Sequence, residues 1–318
     1  MEEAGAVKIY KLLAVMLAVT ALAAGCGQEE RSGRETQTEE TGGAGSSEQA
    51  GQTEPAEEAA DMTDGETVTN ALLPEELAQI PRGYFEESDS QGTLVELTYD
   101  TYESMSYEEQ DQVLKKRGIV YLPYGYSEDE QYNVFYLMHG GWSNETTYLG
   151  TPERPNEFKN VLDNGIADGK IRPMIVVCPT YNNESESDSS SYSLALRLTE
   201  NYHNELLGDL IPAVEGTYST YAEDTTAEGI RASRDHRAFC GFSMGSVATW
   251  RTFQYCLDDF RYFLPSSGSL TADVEDGTFR YANNEKEGNL YFLEQEGGIH
   301  NGDYAMEYFY NGLCWIWQ

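Results

Sequence analysis

The chain has 318 residues, room for one large domain or two small ones at ~100–200 residues per domain. Fifty-five Asp and Glu stand against twenty Lys and Arg, a net charge of −35 at pH 7. That balance argues against nucleic acid as a partner, since phosphates need basic side chains, and against docking on an anionic bilayer through a basic patch. Hydrophobic residues at 40% and aromatics at 12% suffice for a buried core, which excludes disorder throughout.

At the N-terminus, Lys8 and Lys11 precede an uncharged run over 12–24, LLAVMLAVTALAA. Thirteen helical residues span only ~20 Å, short of the ~30 Å hydrocarbon core. A positive flank, a short apolar stretch and small residues describe a signal peptide over 1–25, although Glu2 and Glu3 are unusual there. The run Leu22-Ala23-Ala24-Gly25-Cys26 resembles the lipobox of bacterial lipoproteins. That resemblance implies lipidation of Cys26, an extracytoplasmic location and membrane contact through the lipid anchor only; the alternative is an ordinary secretory signal with an incidental cysteine. Residues 27–70 hold twelve acids and two bases, net −10, with almost no large apolar side chain. Such a stretch cannot offset its ordering entropy, so 26–82 is expected to be an acidic, disordered tether ahead of a folded domain over 83–318.

Strands are expected at 93–99 and 113–122, from their β-branched and aromatic content, and at 132–138, which runs into His139-Gly140-Gly141. A helix follows at 157–166 and a buried strand at 174–178. Leu198, Tyr202, Leu206, Leu210 and Val214 recur at helical spacing, predicting an amphipathic helix over 196–218 bent at Pro212. A strand at 237–241 leads directly into a helix carrying Val247, Trp250, Phe253 and Leu257. Short strands at 262–264 and 289–293 and a helix over 304–317 complete the chain. Buried strands alternating with helices predict an α/β fold with a mostly parallel sheet.

Gly241-Phe242-Ser243-Met244-Gly245 is a G-x-S-x-G run between a strand and a helix. The turn must be tight, so side chains at the flanking positions would collide with their neighbours. Ser243 is thereby projected at a helix N-terminus, where free N–H groups favour developing negative charge, and is the candidate nucleophile. Of the four histidines, His236 lies at the far end of the same strand, His203 shares a helix face with Leu207 and Leu210, and His139 is suited to shaping the loop after its strand. His300, after Gly297-Gly298-Ile299 and late in the chain, is left as the base. An oxyanion hole needs two backbone N–H groups; Met244 is expected to supply one and Gly141 or Trp142 the other.

Taken together, Tyr121–Tyr126 (YLPYGY), Val134–Gly141 (VFYLMHGG), Glu205–Pro212 (ELLGDLIP), Gly241–Gly245 and Gly297–His300 resemble the esterase D / feruloyl esterase family, α/β-hydrolases that include carbohydrate esterases acting on xylan. The likeness covers about residues 93–318. It implies a three-layer α/β-hydrolase sandwich, ester hydrolysis through an acyl-enzyme, a small-molecule or oligosaccharide ester as substrate, and neither metal nor organic cofactor.

One departure matters. The family's acid follows a strand between the nucleophile helix and the histidine strand, in a Gly-Thr-x-Asp-like turn, and this chain has no such turn. Between 264 and 289 there is room for one crossover but not for a further βα unit, so the chain is expected to lack one such unit near its C-terminus. Asp273, or Asp276, after the strand at 262–264, is the candidate replacement. The alternatives are a weakened Ser–His pair, or a non-catalytic protein that holds a glycan on a hydrolase fold. Cys178, Cys240, Cys256 and Cys314 show no C-x-x-C spacing and are expected to be buried thiols. Trp142, Tyr148 and Tyr181 lie on loops near the expected site and are either sugar-stacking or packing aromatics.

Overall fold

The computed structural model describes residues 76–268, 290–291 and 293–318. The chain divides into two units, Met1–Gly65 and Glu66–Gln318, and the described residues belong to the second. The expected signal peptide, Cys26, most of the tether, Asp273 and Asp276 lie outside the described residues. Packing onto the domain begins ahead of residue 83: Ala78 exchanges backbone hydrogen bonds with the Asn311 amide, and Ile80 is buried.

A six-stranded sheet organises the domain, in the order β1-β2-β6-β3-β7-β8. Its strands are β1 (Thr93–Thr101), β2 (Leu114–Leu122), β3 (Asn133–Met138), β6 (Met174–Cys178), β7 (Arg237–Phe242) and β8 (Tyr262–Ser266), while β4 (Gly150–Thr151) and β5 (Arg154–Pro155) form a separate two-stranded hairpin. β1 and β2 are antiparallel, as are β2 and β6; β6, β3, β7 and β8 run parallel. The helices are α1 (Glu157–Ala167), α2 (Tyr192–Glu205), α3 (Ile211–Glu215), α4 (Ala227–Ala232), α5 (Met244–Tyr255) and α6 (Gly302–Trp315).

The alternation of side chains along each strand divides the core into two layers. Phe135 and Leu137 of β3, Val176 of β6 and Cys240 of β7 face Phe158, Leu162, Phe309 and Leu313 of α1 and α6. Val134, Tyr136 and Met138 point the other way, to Leu198 and Tyr202 of α2, Val214 of α3 and Val247 of α5. Helices on both faces of a mostly parallel sheet make the three-layer sandwich expected from the sequence. Among the described residues no helix is long and apolar enough to cross a membrane.

Two elements differ from the sequence-based expectation. The helix expected over 196–218 begins at Tyr192 and ends at Glu215, and its distortion precedes the proline: Leu206–Leu210 is a π-helical segment leading into α3. Pro212 has no N–H to give the previous turn, and widening that turn accommodates the loss. The strand expected at 289–293 is not formed by its described residues, Leu290, Tyr291 and Leu293. The Ser266 carbonyl accepts from Ser243 N on the β7 side, so Pro265 turns its nitrogen to the outer edge of β8. An edge without that donor is a poor template for another strand. Among the described residues, the sheet ends at β8.

A buried charge ties the antiparallel end of the sheet to α2. Glu205, fully buried, accepts hydrogen bonds from Tyr99 (2.6 Å), Ser104 (2.9 Å) and Lys116 (2.8 Å). Both charges are out of water, and the hydroxyl donors complete the hydrogen bonding that such burial demands.

Candidate active site

β7 and α5 meet at Ser243, whose backbone is left-handed (φ 58°, ψ −117°). A β-branched or bulky residue would not tolerate that turn, and even serine holds it at a cost of ~1–3 kcal/mol, so the surrounding structure must enforce it. The enforcement is steric. A β-carbon at Gly241 would lie 2.4 Å from the carbonyl of Gly245, and one at Gly245 would lie 2.3 Å from Met138 O and 2.7 Å from His139 O. The same contacts bring the end of β3 and the His139 loop against the start of α5. Ser243 is the N-cap residue of α5, and Met244 opens its first turn, where backbone N–H groups have no partner within the helix.

His300 reaches this serine from the other end of the chain. Its Nε2 is 3.0 Å from Ser243 Oγ, a separation of 57 residues closed by the fold. The imidazole lies against the Phe242 ring, with centroids 4.4 Å apart, and the adjoining Asn301 caps α6 by accepting from Tyr304 N–H at 3.1 Å. The ring is therefore held by a packed aromatic and a capped helix start. Burial lowers the His300 pKa, because it disfavours the imidazolium. The second ring nitrogen, Nδ1, lies 3.0 Å from Ser267 Oγ. Ser267 follows β8 immediately, ahead of the candidate acids Asp273 and Asp276, which lie outside the described residues. The sequence signal was the small-residue run Pro265–Gly268, which reads as an ordinary turn.

The oxyanion loop separates its two candidate donors. Trp142 N–H donates to Ser189 O at 3.0 Å and is occupied, whereas no hydrogen bond from Gly141 N–H is formed among the described residues. The loop is clamped to 182–190: Ser143 N–H donates to Ser189 Oγ, Ser189 Oγ donates to Ser143 O at 2.7 Å, and the Asn182 amide donates to Ser143 O at 3.1 Å. Nothing in the sequence marked Ser189, because the contact joins distant segments. His139 shapes the loop from beneath. It hydrogen-bonds Thr180 and the Gly140 carbonyl, stacks on Tyr181, and is so buried that its pKa falls to about 4, which keeps it neutral.

Of the three aromatics expected near the site, Trp142 alone is exposed, at 71%. Tyr148 and Tyr181 are buried, and Tyr181 spends its hydroxyl on Gly140 O, so both are packing residues. His203 stacks on Tyr255 at the end of α5, and His236, just ahead of β7, bonds Asn133 at the start of β3, both remote in the fold from the Ser243 turn. Cys178, Cys240 and Cys256 are buried free thiols, and burial raises their pKa so that they stay protonated; Cys314 is free and partly buried.

The family model described as "Putative esterase" matches residues 115–271. The chain is 46% identical over 149 residues to endo-1,4-beta-xylanase Y of Acetivibrio thermocellus, covering 47% of this chain and 12% of that protein. It is 35% identical over 137 residues to an endo-1,4-beta-xylanase/feruloyl esterase of Xylanibacter ruminicola, covering 41% and 16%. The chain thus spans only a small part of the length of these curated relatives. Among solved structures, a serine-to-alanine mutant of the feruloyl esterase module from Clostridium thermocellum, complexed with sinapinate, superposes with a TM-score of 0.63 at 30% identity, covering 76% of this chain and 93% of that one. The chain belongs to the esterase/feruloyl esterase-like family of α/β-hydrolases.

Proposed function

We propose that the domain is a serine carboxylic-ester hydrolase acting on plant-polysaccharide esters through an acyl-enzyme. The observation that carries this reading is the 3.0 Å approach of His300 Nε2 to Ser243 Oγ at a left-handed turn. In the proposed cycle, Ser243 Oγ attacks the ester carbonyl while His300 Nε2 takes its proton. Gly141 and Met244 N–H groups stabilise the oxyanion. Collapse of the tetrahedral intermediate expels the sugar oxygen, which receives the proton from His300. Water then repeats the sequence on the acyl group and frees Ser243.

The substrate class rests on the relatives, which carry xylanase and feruloyl esterase names, and on the sinapinate held by the Clostridium thermocellum module. Trp142 and Ile299, both largely exposed, sit on the loops that carry Gly141 and His300, where an aromatic acyl group or a sugar ring has apolar surface to rest on. We further propose that the domain is exported and held at the cell surface through Cys26, with the acidic segment as its tether; a Cys26→Ser variant should then be released from the membrane fraction.

Hydrolysis of methyl ferulate and p-nitrophenyl acetate by the wild type, with loss of both in Ser243→Ala, is the expected result. Equal, background-level rates in both proteins contradict it. The second reading, a glycan-binding domain on an impaired hydrolase fold, draws on the hydroxyl at His300 Nδ1 in place of a carboxylate. It requires saturable xylan-fragment binding without turnover.

A further inference from the structure

We propose that Ser267 is the positioning residue for His300, giving a Ser243–His300–Ser267 arrangement in place of a carboxylate triad. This rests on the esterase reading above. Three observations converge on it. His300 is bridged on both nitrogens, with Ser243 Oγ at 3.0 Å from Nε2 and Ser267 Oγ at 3.0 Å from Nδ1. Both serines terminate neighbouring parallel strands, β7 and β8, and both adopt a left-handed backbone, φ 58° and 53°. The two turns are also fixed to each other. Ser243 N–H donates to Ser266 O at 3.0 Å, and a β-carbon at Gly268 would fall 2.4 Å from Ser243 O. A strained backbone recurring at two adjacent strand ends, with one imidazole between them, indicates a constructed arrangement rather than incidental surface contact.

The hydroxyl's chemistry sets what it does. With Nε2 accepting from Ser243, Nδ1 carries the proton and donates it to Ser267 Oγ. When the ring takes the Ser243 proton, Nδ1 keeps its own, and Ser267 stays neutral and transfers nothing. A carboxylate accepts only, so it fixes the productive tautomer and stabilises the imidazolium. A hydroxyl can also donate to Nδ1, which places the proton on Nε2 and blocks the base. Ser267 therefore orients the ring but selects the tautomer less strongly and supplies no charge. The hydrolase should be slower than a carboxylate triad, with its base titrating lower.

The position is primed for a direct test. Asp, unlike β-branched residues, tolerates a left-handed backbone. Ser267→Asp should raise kcat ~10-fold or more and move the acidic limb of the pH profile up by ~1 unit, since a carboxylate beside a histidine favours its charged form. Ser267→Ala should lower kcat ~10-fold with KM within twofold. Asp273→Asn and Asp276→Asn should leave kcat unchanged. Imidazole ¹⁵N shifts of His300 read the same claim without turnover: the wild type should hold the proton on Nδ1, and Ser267→Ala should move it toward Nε2. The proposal is overturned if Ser267→Ala keeps the wild-type kcat and pH profile, if Ser267→Asp leaves both in place, if Asp273→Asn or Asp276→Asn causes the loss assigned to Ser267→Ala, or if the His300 tautomer is indifferent to residue 267. A wild type without esterase activity but with a Ser267-dependent His300 tautomer would sink the esterase reading and leave the positioning role standing.

Discussion

The backbone N–H of Trp142 donates to the Ser189 carbonyl at 3.0 Å, and that one bond takes the Trp142 amide out of the set of free donors on the glycine loop. With Trp142 engaged, the proposed oxyanion hole is left to Gly141 N–H and Met244 N–H. The clamp beneath it runs through the Ser189 side chain, which both accepts from Ser143 N–H and donates to Ser143 O. Ser189→Ala keeps the carbonyl and removes those two bonds. Losing a whole oxyanion donor costs ~10²–10³ in kcat, so loosening one should cost less, about 10-fold, with KM nearly unchanged. Steady-state kinetics on methyl ferulate check it.

The pH profile follows from the environment of His300. The ring works as a base only when neutral. Partial desolvation lowers its pKa, so the neutral form persists to lower pH than for a fully solvated histidine. The acidic limb of kcat/KM should therefore fall below ~6.5, the ordinary histidine value. A limb at or above that value contradicts the electrostatic account of the site.

Gly245 is the structural cost of the turn. A β-carbon there meets the carbonyl oxygens of Met138 and His139 at 2.3 and 2.7 Å, and both are backbone atoms that cannot rotate away. Gly245→Ala should destabilise the domain by about 3 kcal/mol and disturb the Ser243 turn with it. A lower urea midpoint at unchanged m-value, together with lost activity, is the expected result.

Far from the site, Lys116→Met should be among the most damaging single changes. It strips Glu205 of its cation while leaving the carboxylate buried, a loss of ~3–5 kcal/mol. Lys116→Met combined with Glu205→Leu should recover most of that, since the penalty belongs to the orphaned charge. Urea denaturation of the wild type and the two variants tests both statements.

Much of the site was legible in the sequence because its parts are local. Ser243 is marked by two glycines whose spacing has a steric meaning, and His300 was reached by asking which histidine lies at neither the wrong strand end nor a packed helix face. β3, β6 and β7 read clearly because every residue of the first two and nearly all of the third are buried, so apart from Asn133 and Arg237 at their starts they hold no polar side chain. What stayed hidden depends on contacts between distant segments. Ser189 meets Ser143 across 46 positions, and Ser267 meets His300 across 33. Both look like ordinary loop serines, and only the fold distinguishes them. Tyr148 and Tyr181 were ambiguous for the same reason: composition does not say which side of a loop faces water. The π-helical turn before Pro212 escaped because a helical hydrophobic period reads through a one-turn widening.

The most direct test of the account is the rate at which Ser243 is acylated, read as the burst of p-nitrophenolate from p-nitrophenyl acetate in wild type and in His300→Ala. If the imidazole is the base, the variant's burst rate falls by ~10³-fold or more while its fold is retained. An unchanged burst rate in His300→Ala would show that the proton leaves Ser243 by another route and would contradict the account.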